Sequence, residues 1–299
     1  MKLKTRTLIL LNIAVFLAGW TGIFGRIISM AGLPLVWYRS MIALAVLAAV
    51  MLVLRKVSAG HGLKAPGLRE IVRIAGCGAL LGIHWVAFYA SIKASNVSVG
   101  VACIATSCFF TSFFDPAINR HRLSWKDFFI SFIAIAGILL IFSLDVRYRL
   151  GIALGLLSAA VYSVFSILNI RVADSSGQDS ATMLLYELVG CVIFLGLCMP
   201  FYIRLYPDLP AFPVKTDLWW LVALGSVFTI IPFLLQIHAL RHLSAFTVNV
   251  FYNLEPVYSI LFAALLFGET REVGPSFWLG ISLIIISVFL QSRRQQARA

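Results

Sequence analysis

The stretch "YNLEPVYSILFAALLFGE", residues 252–269, sets Glu255 and Pro256 side by side inside an apolar run. A charge is expensive in a membrane span and a proline removes a backbone donor, so a span that carries both implies a use for them. The surrounding sequence shows what kind of run this is. Of 299 residues, 61% are hydrophobic and only 12% charged, and the apolar residues come in blocks near twenty long, separated by short polar breaks. Such blocks predict helices at 7–30, 34–54, 70–92, 97–119, 125–143, 150–172, 181–203, 217–239, 244–267 and 274–291. The expected fold class is an all-α integral membrane protein with ten transmembrane helices. A soluble globule is excluded, because too little polar surface would remain to cover so much apolar chain.

The net charge of +12 does not point to nucleic acid, since the basic residues sit in the breaks and at the ends rather than on an aromatic-interleaved stripe. Membrane topology accounts for them. With both termini in the cytoplasm, sixteen Lys and Arg fall in cytoplasmic segments, seven fall on the other side, and Arg39 lies within a span. That asymmetry predicts a multi-pass protein of the cell inner (plasma) membrane with both ends inside. The start, "MKLKTRTLILLNIAVFLAGW", continues apolar to about Met30 without a small-residue cleavage site and reads as an uncleaved first span. The five cysteines all lie in apolar blocks, without CxxC or Cys/His spacing, so no metal and no cofactor is expected.

Two stretches match at corresponding places in the two halves. Sliding "ASIKASNVSVGVACIATSCFF" by 148 residues lays it on "HALRHLSAFTVNVFYNLEPVY", placing Lys93 on Arg241 and Ser107 on Glu255. The same slide sets Tyr38-Arg39 on Tyr186-Glu187. Five spans per half reverse the second half relative to the first, giving inverted five-helix repeats over 1–146 and 147–299. Such repeats suit alternating access around a central site.

The run "ALRHLSAFTVNVFYNLEPVYSILFAALLFGE" resembles the EamA-type members of the drug/metabolite transporter superfamily, through the Leu-Glu-Pro triplet and the Gly268-Glu269 that closes the helix. The first half departs from that pattern, with Ser107-Cys108 in place of Glu-Pro and His121 in place of the terminal Glu. The resemblance implies export or exchange of small metabolites, commonly amino acids, driven by an ion gradient or by the substrate's own gradient.

Ionisable and polar residues within spans are expected to face a path rather than lipid. Glu255 is the first choice for coupling to a proton or cation, or for a substrate amine, with Asn249, Tyr252 and Asn253 near its face of the ninth span. Pro256 there is expected to free the carbonyl of Tyr252. Trp20, His84, Trp85 and Tyr162 are further candidates, each with packing as the alternative; for His84 that alternative is a bond to a backbone carbonyl. Arg39 and Glu187 match in the repeat but lie at different depths, so each is expected to serve a gate on its own side rather than to pair. The glycine pairs Gly78/Gly82 and Gly151/Gly155 permit close helix approach, within a monomer or across a homodimer.

No HExxH, GxSxG or Walker-type loop occurs, so hydrolysis and ATP-driven transport lack support. The rivals are a nucleotide-sugar antiporter, for which only Arg39 offers a cation, and a lipid-modifying enzyme, for which only His84 with Ser107 offers a base and nucleophile. The expected partners are a small-molecule substrate, the lipid bilayer and a coupling proton.

Overall fold

The computed structural model describes residues 2–57, 66–120, 148–240, 251–252, 254–269 and 275–296, with single positions between 122 and 140. Every regular element among them is a helix: α1 (Lys2–Gly19), α2 (Thr21–Ile27), α3 (Gly32–Val57), α4 (Leu68–Ala94), α5 (Val97–Ile104), α6 (Ser107–Asn119), α7 (Arg149–Ser176), α8 (Ser180–Leu205), α9 (Lys215–Leu240), α10 (Glu255–Phe267) and α11 (Pro275–Gln296). Seven stretches are long and apolar enough to cross a bilayer: Thr5–Ile27, Gly32–Val53, Leu68–Ala94, Val97–Asn119, Arg149–Ser176, Ser180–Leu205 and Lys215–Gln236. Glu255–Phe267 and Trp278–Ser287 are shorter apolar helices. Most of the span predicted at 125–143 falls outside the described residues, as does the start of the one predicted at 244–267.

Three predicted spans differ from a continuous helix. The first is broken at Trp20 and ends at Ile27 rather than at Met30. At that break the Gly19 carbonyl accepts a 2.6 Å hydrogen bond from Ser259 Oγ, so a residue of α10 satisfies the group the break exposes. The fourth is broken at Ala105–Thr106, where Thr106 Oγ1 captures the Cys103 carbonyl at 2.6 Å. The ninth has a turn at Leu254 and restarts at Glu255. Pro256 therefore sits in the first turn of α10, where its missing N–H breaks no helical bond. The proline expected inside a continuous helix thus stands in the first turn of α10.

α4 lies at the centre, packed on α7 and α8, because glycines let backbones touch. A Cβ added to Gly78 would stand 1.9 Å from the Glu187 carbonyl oxygen, and one on Gly190 would stand 2.1 Å from that of Ala75. Gly82 meets Cys191, and Gly151 and Gly155 meet Ser95 and Cys103. Both glycine pairs are thus used inside one chain. An apolar core of Ile23, Phe24, Leu35, Phe88, Leu195 and Phe262 fills the space between the crossing helices.

Candidate functional site

About two turns into α3 lies a buried arginine. Arg39 is 4% exposed, and three contacts from two other helices hold it. Its Nη1 donates to Tyr89 Oη at 2.9 Å, its Nε donates to Thr229 Oγ1 at 3.3 Å, and its guanidinium lies 4.2 Å from the centre of the Trp85 ring. Thr229 is itself fixed, donating to the Leu224 carbonyl at 2.6 Å. Stacking on an aromatic face and bonding through separate nitrogens is what a planar guanidinium does and an ammonium does not.

Glu255 opens α10, deep in the molecule yet only half-buried. Arg39, Tyr89 and Tyr252 lie within its electrostatic reach. Among the described residues it has no hydrogen-bond or ion-pair partner, since the one salt bridge there joins Arg26 to Glu269. The N-terminus of α10 places the positive end of its dipole beside the carboxylate. Two opposite charges are thus held near each other but apart, with the cation anchored elsewhere.

Aromatic side chains surround them unevenly. The His84 and Tyr162 ring centres are 4.9 Å apart, and Tyr162 keeps 37% of its surface open. His84 does not face Ser107: its Nδ1 lies 2.8 Å from Ser158 Oγ and 3.1 Å from the Ser158 carbonyl, while that hydroxyl lies 2.8 Å from the His84 carbonyl. This clasp between α4 and α7 corresponds to the backbone-bonded alternative and leaves the proposed base without its nucleophile. Trp20 packs on Phe262 at 4.7 Å and Phe228 at 6.1 Å between ring centres. Asn249 and Asn253 lie outside the described residues.

Glu187 stands apart from this group. It is 3% exposed and accepts a 2.6 Å bond from Asn169 Nδ2; it does not pair with Arg39. Asn169 adjoins a cavity of about 440 Å³ at the end where α6 and α7 finish, lined by Asn119, Ile167, Ile170, Arg171, Asp174 and Ser175.

At the opposite end the helices are tied together. Glu269, 1% exposed, accepts from Arg26 Nη1 at 2.7 Å, Val97 N at 3.1 Å, Ser98 N at 3.0 Å and Ser98 Oγ at 2.5 Å. Gly268, in the left-handed region at φ 66°, ends α10 and turns Glu269 toward the start of α5. Asp217 of α9 accepts from Ser29 N at 2.9 Å and Ser29 Oγ at 2.5 Å, and Lys93 Nζ donates to the Ile28 carbonyl.

The EamA-like transporter family model matches twice, over residues 5–143 and 149–293. The chain belongs to the EamA-like transporter family. As a family member with several apolar helices it is a multi-pass membrane protein, and a transporter rather than an enzyme. The permease-like protein YdzE of Bacillus subtilis (strain 168) is 34% identical over 73 residues, 24% of this chain and 91% of YdzE. A solved crystal structure of another protein superposes with a TM-score of 0.59 at 18% identity, covering 97% of this chain and 99% of that one; the likeness is one of fold.

Within this EamA-family chain, the candidate site comprises Arg39 with Trp85, Tyr89 and Thr229 around it, and Glu255 with Tyr252 within electrostatic reach. Thr229 was not legible in the sequence, because one threonine on an apolar helix carries no signal. The ties around Glu269 and Asp217 are likewise not legible in the sequence: Glu269 stands there only as part of the family resemblance, and Ser29 and Asp217 fall at the ends of the spans expected at 7–30 and 217–239.

Proposed function

We propose that this chain is a secondary transporter, an exporter of small organic metabolites such as amino acids, working by alternating access in the inner membrane. In this reading ten spans form two inverted repeats, 1–146 and 147–299, with both termini in the cytoplasm. The double family match supports the repeats, as do the matching interruptions before Ser107 and before Glu255, the pair the 148-residue slide lays together. Discontinuous helices meeting at mid-depth are how such carriers present backbone dipoles to a solute.

The observation that carries the reading is the separated pair Arg39 and Glu255. Arg39 is held by Tyr89, Thr229 and Trp85 rather than by the carboxylate. A solute with an anionic and a cationic group would satisfy both, while Trp85, Tyr162 and Tyr252 cover its apolar part. Glu255 is then the substrate-amine or proton site. Reconstituted protein given labelled amino acids, purines and a nucleotide sugar, with and without a pH gradient, tests this. Saturable uptake of a zwitterion is expected, and Glu255→Gln should remove its pH dependence. Uptake that keeps that dependence in the variant would place coupling elsewhere.

A further inference from the structure

The Glu269 cluster is not used by the central site, and its geometry has a direction. Its carboxylate joins Arg26 of α2 and the first two amides of α5 to the segment that closes α10. The second tie, Asp217 to Ser29 with Lys93 on Ile28, fastens α9 and α4 to the turn between α2 and α3 at the same end. At the opposite end, where the Asn119–Arg171 cavity lies, Asn169 Nδ2 of α7 donates to Glu187 of α8, and Ser176 Oγ of α7 lies 3.9 Å from Met183 Sδ of α8. One end carries the charged latch, and a cavity lies at the other.

The latched helices are also bounded by interruptions of the chain. α5 has eight residues and stops at the 105–106 interruption, while α10 begins after the turn at Leu254. Each half-helix therefore has a chain break at mid-depth that can serve as a hinge. Arg26 keeps 36% of its side chain exposed while Glu269 keeps 1%, so the pair is open from the Arg26 side.

We propose that Glu269 and Arg26 form the outer gate: the carboxylate's grip on Arg26 and on the N-terminus of α5 holds the outer end closed, and must release for solute to pass. The assignment rests on the alternating-access reading, but its test needs no substrate. Full-length protein carries one reporter cysteine, Ile104→Cys beneath the latch or Ser175→Cys at the cavity, and is exposed to a membrane-impermeant maleimide from either side. Protein without a reporter supplies the baseline from the native cysteines.

With Glu269→Gln or Arg26→Gln, outside labelling of the Ile104 reporter is expected to rise at least fivefold while inside labelling of the Ser175 reporter falls, and Glu269→Asp should restore much of the closed pattern. No change at the Ile104 reporter, or a rise at both reporters as expected of general loosening, would overturn the gate. The same reciprocal pattern with the two sides exchanged would support the gate and refute the proposed orientation. Failure to find a transported solute alongside the reciprocal pattern would count against the substrate reading alone.

Discussion

Arg39 shows how a single charged residue is accommodated in a membrane span. An arginine at mid-span costs roughly 2.5–3.5 kcal/mol on insertion scales, and here a hydroxyl on each of two helices and an indole face offset that cost. Arg39→Lys keeps the charge but cannot stack on Trp85 and reach Tyr89 and Thr229 together. Loss of a bond to a charged group is worth about 1.5–3 kcal/mol, so substrate affinity should fall roughly ten- to a hundredfold, measured by binding to purified protein. An unchanged affinity would remove Arg39 from the site. His84 is the contrasting case, since its ring and main chain are both taken by Ser158. Ser158→Ala should lower stability by about 0.6–1.7 kcal/mol, read as a reduced unfolding midpoint in detergent, with transport kept. The sequence could flag Arg39, His84 and Glu255 because ionisable groups in apolar runs are rare. It could not say which were anchors and which were open, because that depends on partners tens to hundreds of residues away.

At the scale of the element, small residues and interruptions matter most. Gly78 and Gly190 let the backbones of α4 and α8 meet, and in each case the atom that blocks a side chain belongs to the partner's backbone. Gly78→Val should therefore force the helices apart and cost more than the ~1–3 kcal/mol of ordinary overpacking, seen as loss of monodisperse protein on size exclusion. A variant of wild-type stability would mean that α4 and α8 are not so closely apposed. Helix positions were well read from hydropathy, with α4, α7 and α9 ending within about four residues of expectation. The interruptions were not. The run 97–119 has no proline or glycine near 105–106, so nothing in its pattern marks a break that Thr106 makes by capturing Cys103. Pro256 was visible but misread, as an irregularity inside a helix rather than the start of one.

For the whole molecule, the ties between chain ends fix the relative direction of the helices. The ends of α2, α4 and α10 and the starts of α5 and α9 meet in one layer, as alternate crossings of a membrane require. A cysteine placed at Asp208, between α8 and α9, is expected to label from outside intact cells, and one at Gln178, between α7 and α8, only after the membrane is opened. The opposite result would reverse the topology inferred from the basic residues.

Composition and the spacing of apolar blocks determined by themselves that this chain lives in a membrane as many helices, because the bilayer selects on length and hydropathy, which are local. The family motif was also legible, being a short run of particular residues. Which carboxylate stays open, where spans break and which end is latched were decided only by tertiary structure. Ser259 on Gly19, Glu269 on Val97 and Tyr89 on Arg39 are bonds between residues 240, 172 and 50 positions apart. A polar group in an apolar run signals a need for a partner, but its identity is settled only when the helices pack.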